Sequence, residues 1–180
     1  MLALTLPGHG AWADPAATFD AQGYRNASYR AVVDRDPVPA RRIPLAEARR
    51  LHATDKALFI DVLPAEGANR DPVSGRWTLA TRHQSIPGAL WLPDIGSAAP
   101  DAVMWRGLEA RVAAYRQRHR RAAVVVFCRA DCWLSWNAAR RLALSGVSNV
   151  RWLAEGIEGW HETGGKLVDA QPEAVPNPGP

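Results

Sequence analysis

Cysteine is scarce: Cys128 and Cys132 are the only two in 180 residues. That excludes a disulfide-scaffolded small domain, which spreads many cysteines along a short chain. Lysine is scarcer than its share, since 22 residues are Lys or Arg and all but Lys56 and Lys166 are Arg. The arginines are dispersed, not gathered in a stripe, so the net charge of +4 gives no nucleic-acid footprint. No apolar run approaches the about 20 residues that cross a bilayer, and no membrane span is expected. His9, His52, His83, His119 and His161 show no ligand spacing, and two sulfurs alone do not complete a zinc site. No metal and no cofactor is expected.

Apolar residues make up 47% and charged residues 22%. That is the balance of a folded globular chain, and the length suits one domain. Trp is in surplus, at eight. Residues 1–13 are apolar and close on Ala11-Trp12-Ala13, an Ala-x-Ala cleavage pattern without a positive n-region. They are read as the remnant of an export signal, which makes the expected location periplasmic and oxidising.

Residues 14–43 are polar and rich in Tyr and Arg, and are read as an irregular leader that packs on the domain. Pro44 to Leu51 places Leu45, Ala48 and Leu51 on one face, a short amphipathic helix with Pro in its first turn. Ala57–Val62 is a compact apolar run, a buried strand bearing Asp61. Turn residues over 64–85 predict a long loop. A short strand at Ala89–Leu92 follows, then a helix over Gly107–His119. Ala122–Phe127 is apolar on both faces, as a central parallel strand is. Leu134–Leu144 reads as a helix stopped by Ser145-Gly146, Asn149–Leu153 as a strand and Gly156–His161 as a last helix. The tail from 169 to 180 is expected to be disordered.

Strand and helix alternate without an internal repeat, which predicts an α/β fold on a mostly parallel sheet flanked by helices. Ligands of such sheets bind beyond the carboxyl ends of the strands. Cys128 stands at such an end, immediately before a helix. Backbone N–H groups and the positive end of a helix favour a thiolate there, the species that attacks sulfur. Arg129 adds positive charge to this loop and Asp131 offsets part of it; Ala130 and Trp133 complete it. Two readings stand for Cys132: a resolving partner within disulfide reach of Cys128, or a buried packing thiol.

The run Phe59-Ile60-Asp61-Val62, the turn Ile86-Pro87-Gly88-Ala89, the Val-Val-Phe-Cys loop and Glu155-Gly156-Ile157-Glu158-Gly159-Trp160 resemble, in order, the landmarks of a rhodanese domain over 44–168. The resemblance implies a persulfide-bearing role for Cys128 and a supporting one for Asp61. The wider string Cys132-Trp133-Leu134-Ser135-Trp136-Asn137, with Asp61-Val62-Leu63-Pro64 and Trp91-Leu92-Pro93, is similar to the CXXCW-motif proteins associated with PQQ-dependent catabolism. Three residues, not two, separate the cysteines here. This likeness implies an exported protein linked to quinoprotein alcohol oxidation, with a periplasmic quinoprotein dehydrogenase or cytochrome c as partner. PQQ is not itself implied as a cofactor.

Three departures shape the expected chemistry. Trp133 stands where a rhodanese loop commonly carries a cation, and an indole does not pair with a sulfonate. Cys132 can attack a persulfide on Cys128, releasing sulfide and leaving a disulfide. The connection between Asp61 and Ile86 is long and carries Arg70, Arg76, Trp77 and Arg82, either as a lid with replacement cations or as a surface insertion. Cys128 is therefore expected as the reactive thiol and Cys132 as its resolving partner, in thiol–disulfide or sulfane-sulfur transfer with a small sulfur compound or a protein thiol. An accessory module docking through Trp133 and Trp136 is the second reading, and a thiosulfate sulfurtransferase the third.

Overall fold

A computed structural model describes residues 18–27 and 30–178. The expected signal remnant at 1–13 lies outside the described residues. In chain order the elements are β1 (Arg41–Arg42), α1 (Leu45–Ala53), β2 (Ala57–Asp61), β3 (Asn69–Arg70), β4 (Trp77–Thr78), β5 (His83–Ser85) and β6 (Leu90–Trp91). There follow α2 (Ala102–Arg118), β7 (Ala123–Phe127), α3 (Leu134–Leu144), β8 (Val150–Leu153), α4 (Gly156–Glu162) and β9 (Val168–Ala170).

The main sheet has the order β1-β8-β7-β2-β6, and every pairing in it is parallel. A central parallel strand needs apolar residues on both faces, and β7 meets this with Val124, Val125, Val126 and Phe127 all fully buried. Val124 and Val126 join a core with Leu108, Val112, Ala138 and Leu142 of α2 and α3. Ala123, Val125 and Phe127 face the other way, with Ala48 of α1 and Trp160 of α4. Fully burying one such side chain contributes about 1.5–3 kcal/mol. The α/β architecture is thus as the alternation of elements predicts; among the described residues, four helices lie in two layers around the central sheet.

Four features differ from the sequence reading. Helix α2 begins at Ala102, five positions before the expected Gly107, because the Asp101 side chain accepts from the N–H groups of Val103 and Met104. Such a cap satisfies donors that a helix start otherwise leaves open. The long connection is not all loop: β3 pairs with β4, and β5 pairs antiparallel with β9. The leader is not wholly irregular, since β1 is the edge strand beside β8. The tail is not disordered where it is described. Val175 is buried, Glu173 N–H donates to Trp91 O, and Asn177 N–H donates to Pro72 O.

Candidate functional site

Strand β7 delivers Cys128 at its carboxyl end, and the chain turns through Arg129–Trp133 into α3. The turn is tight, with Cys132 N–H donating to Arg129 O at 3.1 Å. It brings the two cysteines to a Cα separation of 6.1 Å, and they form a disulfide. Of the two readings of Cys132, the bonded partner is the one observed. Both cysteines are buried, Cys128 at 0% and Cys132 at 4% exposure.

The turn after β8 holds this loop from below. Ile157 N–H donates to Cys128 O at 2.9 Å. Gly156 has φ +60°, and a Cβ there would lie 2.5 Å from Cys128 O and 2.7 Å from Ala130 N. Only glycine combines that conformation with that approach. Glu158 then accepts from Ala130 N–H at 3.0 Å and pairs with Arg129 at 3.1 Å. A carboxylate therefore occupies part of the N–H cradle expected to favour an anion at Cys128.

Arg30 of the leader closes the loop from the outside. Its backbone bridges Cys132, and its guanidinium meets Asp131 at 2.8 Å. Partial burial pushes the Asp131 carboxyl up, but the Arg30 hydrogen bond and the charges of Arg129 and Arg30 prevail and hold it below the usual carboxylate range. Neither the leader's closeness to the loop nor the role of Arg30 was legible, because Arg30 and Asp131 lie 101 residues apart.

Beside Cys132 opens a cleft of about 210 Å³, bordered by Arg30, Leu63–Glu66, Leu79–His83, Trp91, Arg129 and Asp131. That is smaller than the about 300–1,000 Å³ of drug-sized sites. It suits a side chain or a small molecule. Cys132 lines it and Cys128 does not. Of the long connection's cations, Arg82 borders the cleft, whereas Arg76 is exposed elsewhere, and Arg70 is turned to Val175 O and Asp101. The connection thus forms one wall of the cleft and contributes one expected cation to it.

Asp61 is fully buried and accepts three hydrogen bonds. Its donors are Leu63 N–H at 2.9 Å, Ser85 Oγ at 2.6 Å and His83 Nε2 at 2.7 Å. The His83 ring lies 4.3 Å from the Trp91 ring and borders the cleft. Sequence reasoning missed His83 and Ser85. Their alternation on β5, with Gln84 pointing away, is a weak strand signal inside an apparent loop.

Trp133 and Trp136 are 6% and 3% exposed, so they do not form the open aromatic face considered for a docking partner. The leader covers Trp136: its Nε1–H donates to Arg35 O at 2.8 Å, and Phe19 meets it edge-on at 5.6 Å. Asn137, fully buried one residue on, accepts from Arg25 N–H and donates to Arg25 O and Gly96 O. A buried amide with these bonds made is a docking point for a strand of backbone.

The family model described as Rhodanese-like domain matches residues 45–163. Among solved structures, the crystal structure of BH2092 protein from Bacillus halodurans is similar, at 18% identity and a TM-score of 0.46. That similarity covers 76% of this chain and 84% of that one. No curated protein matches.

Proposed function

The chain belongs to the rhodanese-like domain family, and from that premise we propose that it works by thiol–disulfide exchange at the Cys128–Cys132 pair. Membership supports a sulfurtransferase-like or thiol-related role. The observation that carries the narrower reading is the disulfide itself, with Cys132 lining a cleft that Cys128 does not line. A substrate thiolate in the cleft attacks Cys132 Sγ, the S–S bond breaks, and Cys128 leaves as thiolate, which exchanges the roles of reactive thiol and resolving partner expected from the sequence. A second substrate thiol then resolves the mixed disulfide. The substrate thiols lose two electrons and the cysteine pair gains them.

Two features weigh against sulfane-sulfur transfer as the main activity. Glu158 occupies Ala130 N–H, a donor that a bound sulfur oxyanion would use. Trp133 stands where a cation would hold that anion, and it is buried. The setting proposed is an oxidising compartment, the periplasm, where such a disulfide persists. The proposed context is PQQ-dependent alcohol catabolism, with a quinoprotein dehydrogenase or cytochrome c among the candidate partners; it rests on the likeness of the string around Cys132-Trp133 to the CXXCW-motif proteins.

The test is the intact mass of natively isolated protein, denatured in alkylating reagent without reductant. A species two hydrogens lighter that takes no alkyl group supports the exchange reading. A species one sulfur heavier, with that sulfur on Cys128 and Cys132 free, overturns it in favour of a sulfur carrier.

A further inference from the structure

Disulfide exchange consumes a thiolate, yet an alkyl thiol of pKa near that of free cysteine, about 8.5, is mostly protonated at neutral pH. A cleft that accepts such a thiol gains rate from a group that takes its proton. Next to Cys132 the cleft is bordered by cations, by the carboxylates Glu66 and Asp131, and by one imidazole, His83. Glu66 and Asp131 are poor candidates, because Asp131 is bound to Arg30 and held below the usual carboxylate range and a carboxylate is a weak base toward a thiol.

His83 is built for the task. Asp61 receives Leu63 N–H and the Ser85 hydroxyl as well as His83 Nε2. An ionised carboxylate only accepts, so in its bond to Asp61 the His83 Nε2 is the donor. Nδ1 is then the ring atom left to accept a proton. The ring cannot swing freely, because it packs on Trp91 and sits on a strand paired to β9. Asp61 belongs to one of the rhodanese-like landmarks; His83, three residues before the Ile86-Pro87-Gly88-Ala89 turn, does not.

We infer that His83 is the proton acceptor for an alkyl thiol bound in the cleft beside Cys132, with Asp61 as its positioning residue. This deepens the exchange reading and rests on it. The balanced step runs from the protonated thiol and the intact disulfide: His83 Nδ1 takes the thiol proton, the new thiolate forms a bond to Cys132 Sγ, and the bond between the two cysteine sulfurs breaks. The products are a mixed disulfide on Cys132, a Cys128 thiolate and an imidazolium. The substrate for which this matters is an uncharged alkyl thiol, as in a cysteine side chain.

The test compares two reductants at neutral pH: 2-mercaptoethanol, which is protonated there and must lose its proton to attack, and a water-soluble phosphine, which attacks sulfur with no thiol proton to remove. His83→Gln keeps a donor for Asp61 but cannot accept the proton. It is expected to slow reduction by 2-mercaptoethanol about tenfold or more while leaving the phosphine reaction unchanged. Asp61→Asn is expected to lose the same selectivity in part. Equal losses with both reagents, or none with either, would overturn the inference and leave His83 a packing residue. The D₂O effect on the 2-mercaptoethanol rate is expected to be larger in the wild type than in His83→Gln, and the unchanged phosphine rate shows that the variant is folded; equal isotope effects in the two proteins would also overturn it. A wild-type disulfide that resists both reagents would instead overturn the exchange reading itself.

Discussion

At the scale of single residues, the loop is held shut by charge. Asp131 receives Arg30 at 2.8 Å from one side and Arg129 at 3.3 Å from the other. Its carboxyl titrates below the ordinary range despite partial burial. A depressed carboxylate contributes stability that is present above the unfolded value, about 3.9 for Asp, and is lost as pH falls through the folded value. The clamp over Cys132 is therefore intact at neutral pH and opens in acid. A phosphine reduces disulfides in acid, so its rate on the wild type can be divided into its rate on Asp131→Asn, which lacks the charge at every pH. That ratio is expected to exceed one at neutral pH and to fall towards one below the ordinary Asp range. A flat ratio would mean that the ion pairs do not guard the sulfur. The residues of this clamp and of the Asp61–His83 pair were only half legible. Asp61 follows an apolar run that marks a strand end, whereas His83 and Arg30 become meaningful only through partners 22 and 101 residues away.

At the scale of elements, α3 is where leader and loop meet. Its bounds, Leu134–Leu144, are those the sequence predicts, because the apolar spacing and the Ser145-Gly146 stop are local signals. Its buried face carries Trp136 and Asn137 against the leader, and a contact between distant segments leaves no local pattern. Asn137→Ala removes an acceptor of Arg25 N–H and two donated bonds, one to Arg25 O and one to Gly96 O. Orphaning a buried partner costs about 1–3 kcal/mol. The variant is expected to lose about that much unfolding free energy in denaturant titrations and to be cleaved faster within 18–43 by a protease. Unchanged stability and unchanged leader cleavage would show that the leader is not docked through this amide. The early start of α2 is different: the Asp101 cap and the apolar face Met104, Leu108 and Val112, which runs back to the first turn, are both local signals that mark it.

At the scale of the whole molecule, two segments outside the matched 45–163 complete the domain. Strand β1 extends the sheet beside β8, and β9 pairs with β5, which carries His83 and Ser85. Beyond β9, Val175 enters the core. The proline-rich composition of this tail suggested disorder, but proline only forbids helix and ladder positions. An extended strand fixed by side chains and a few backbone bonds is compatible with it. Val175→Asp is expected to lower the unfolding free energy by about 2 kcal/mol or more, since it buries an unpaired charge. A change within about 0.5 kcal/mol, as a free tail would give, would contradict the packed arrangement. Sheet, leader and tail together bury both cysteines, and of the two it is Cys132 that lines the cleft. The most direct test of that polarity is to expose Cys128→Ser and Cys132→Ser separately to an activated alkyl disulfide and measure the intact masses. The account predicts a mixed disulfide on Cys132 in Cys128→Ser and an unmodified Cys128 in Cys132→Ser. Preferential modification of Cys128 would contradict it.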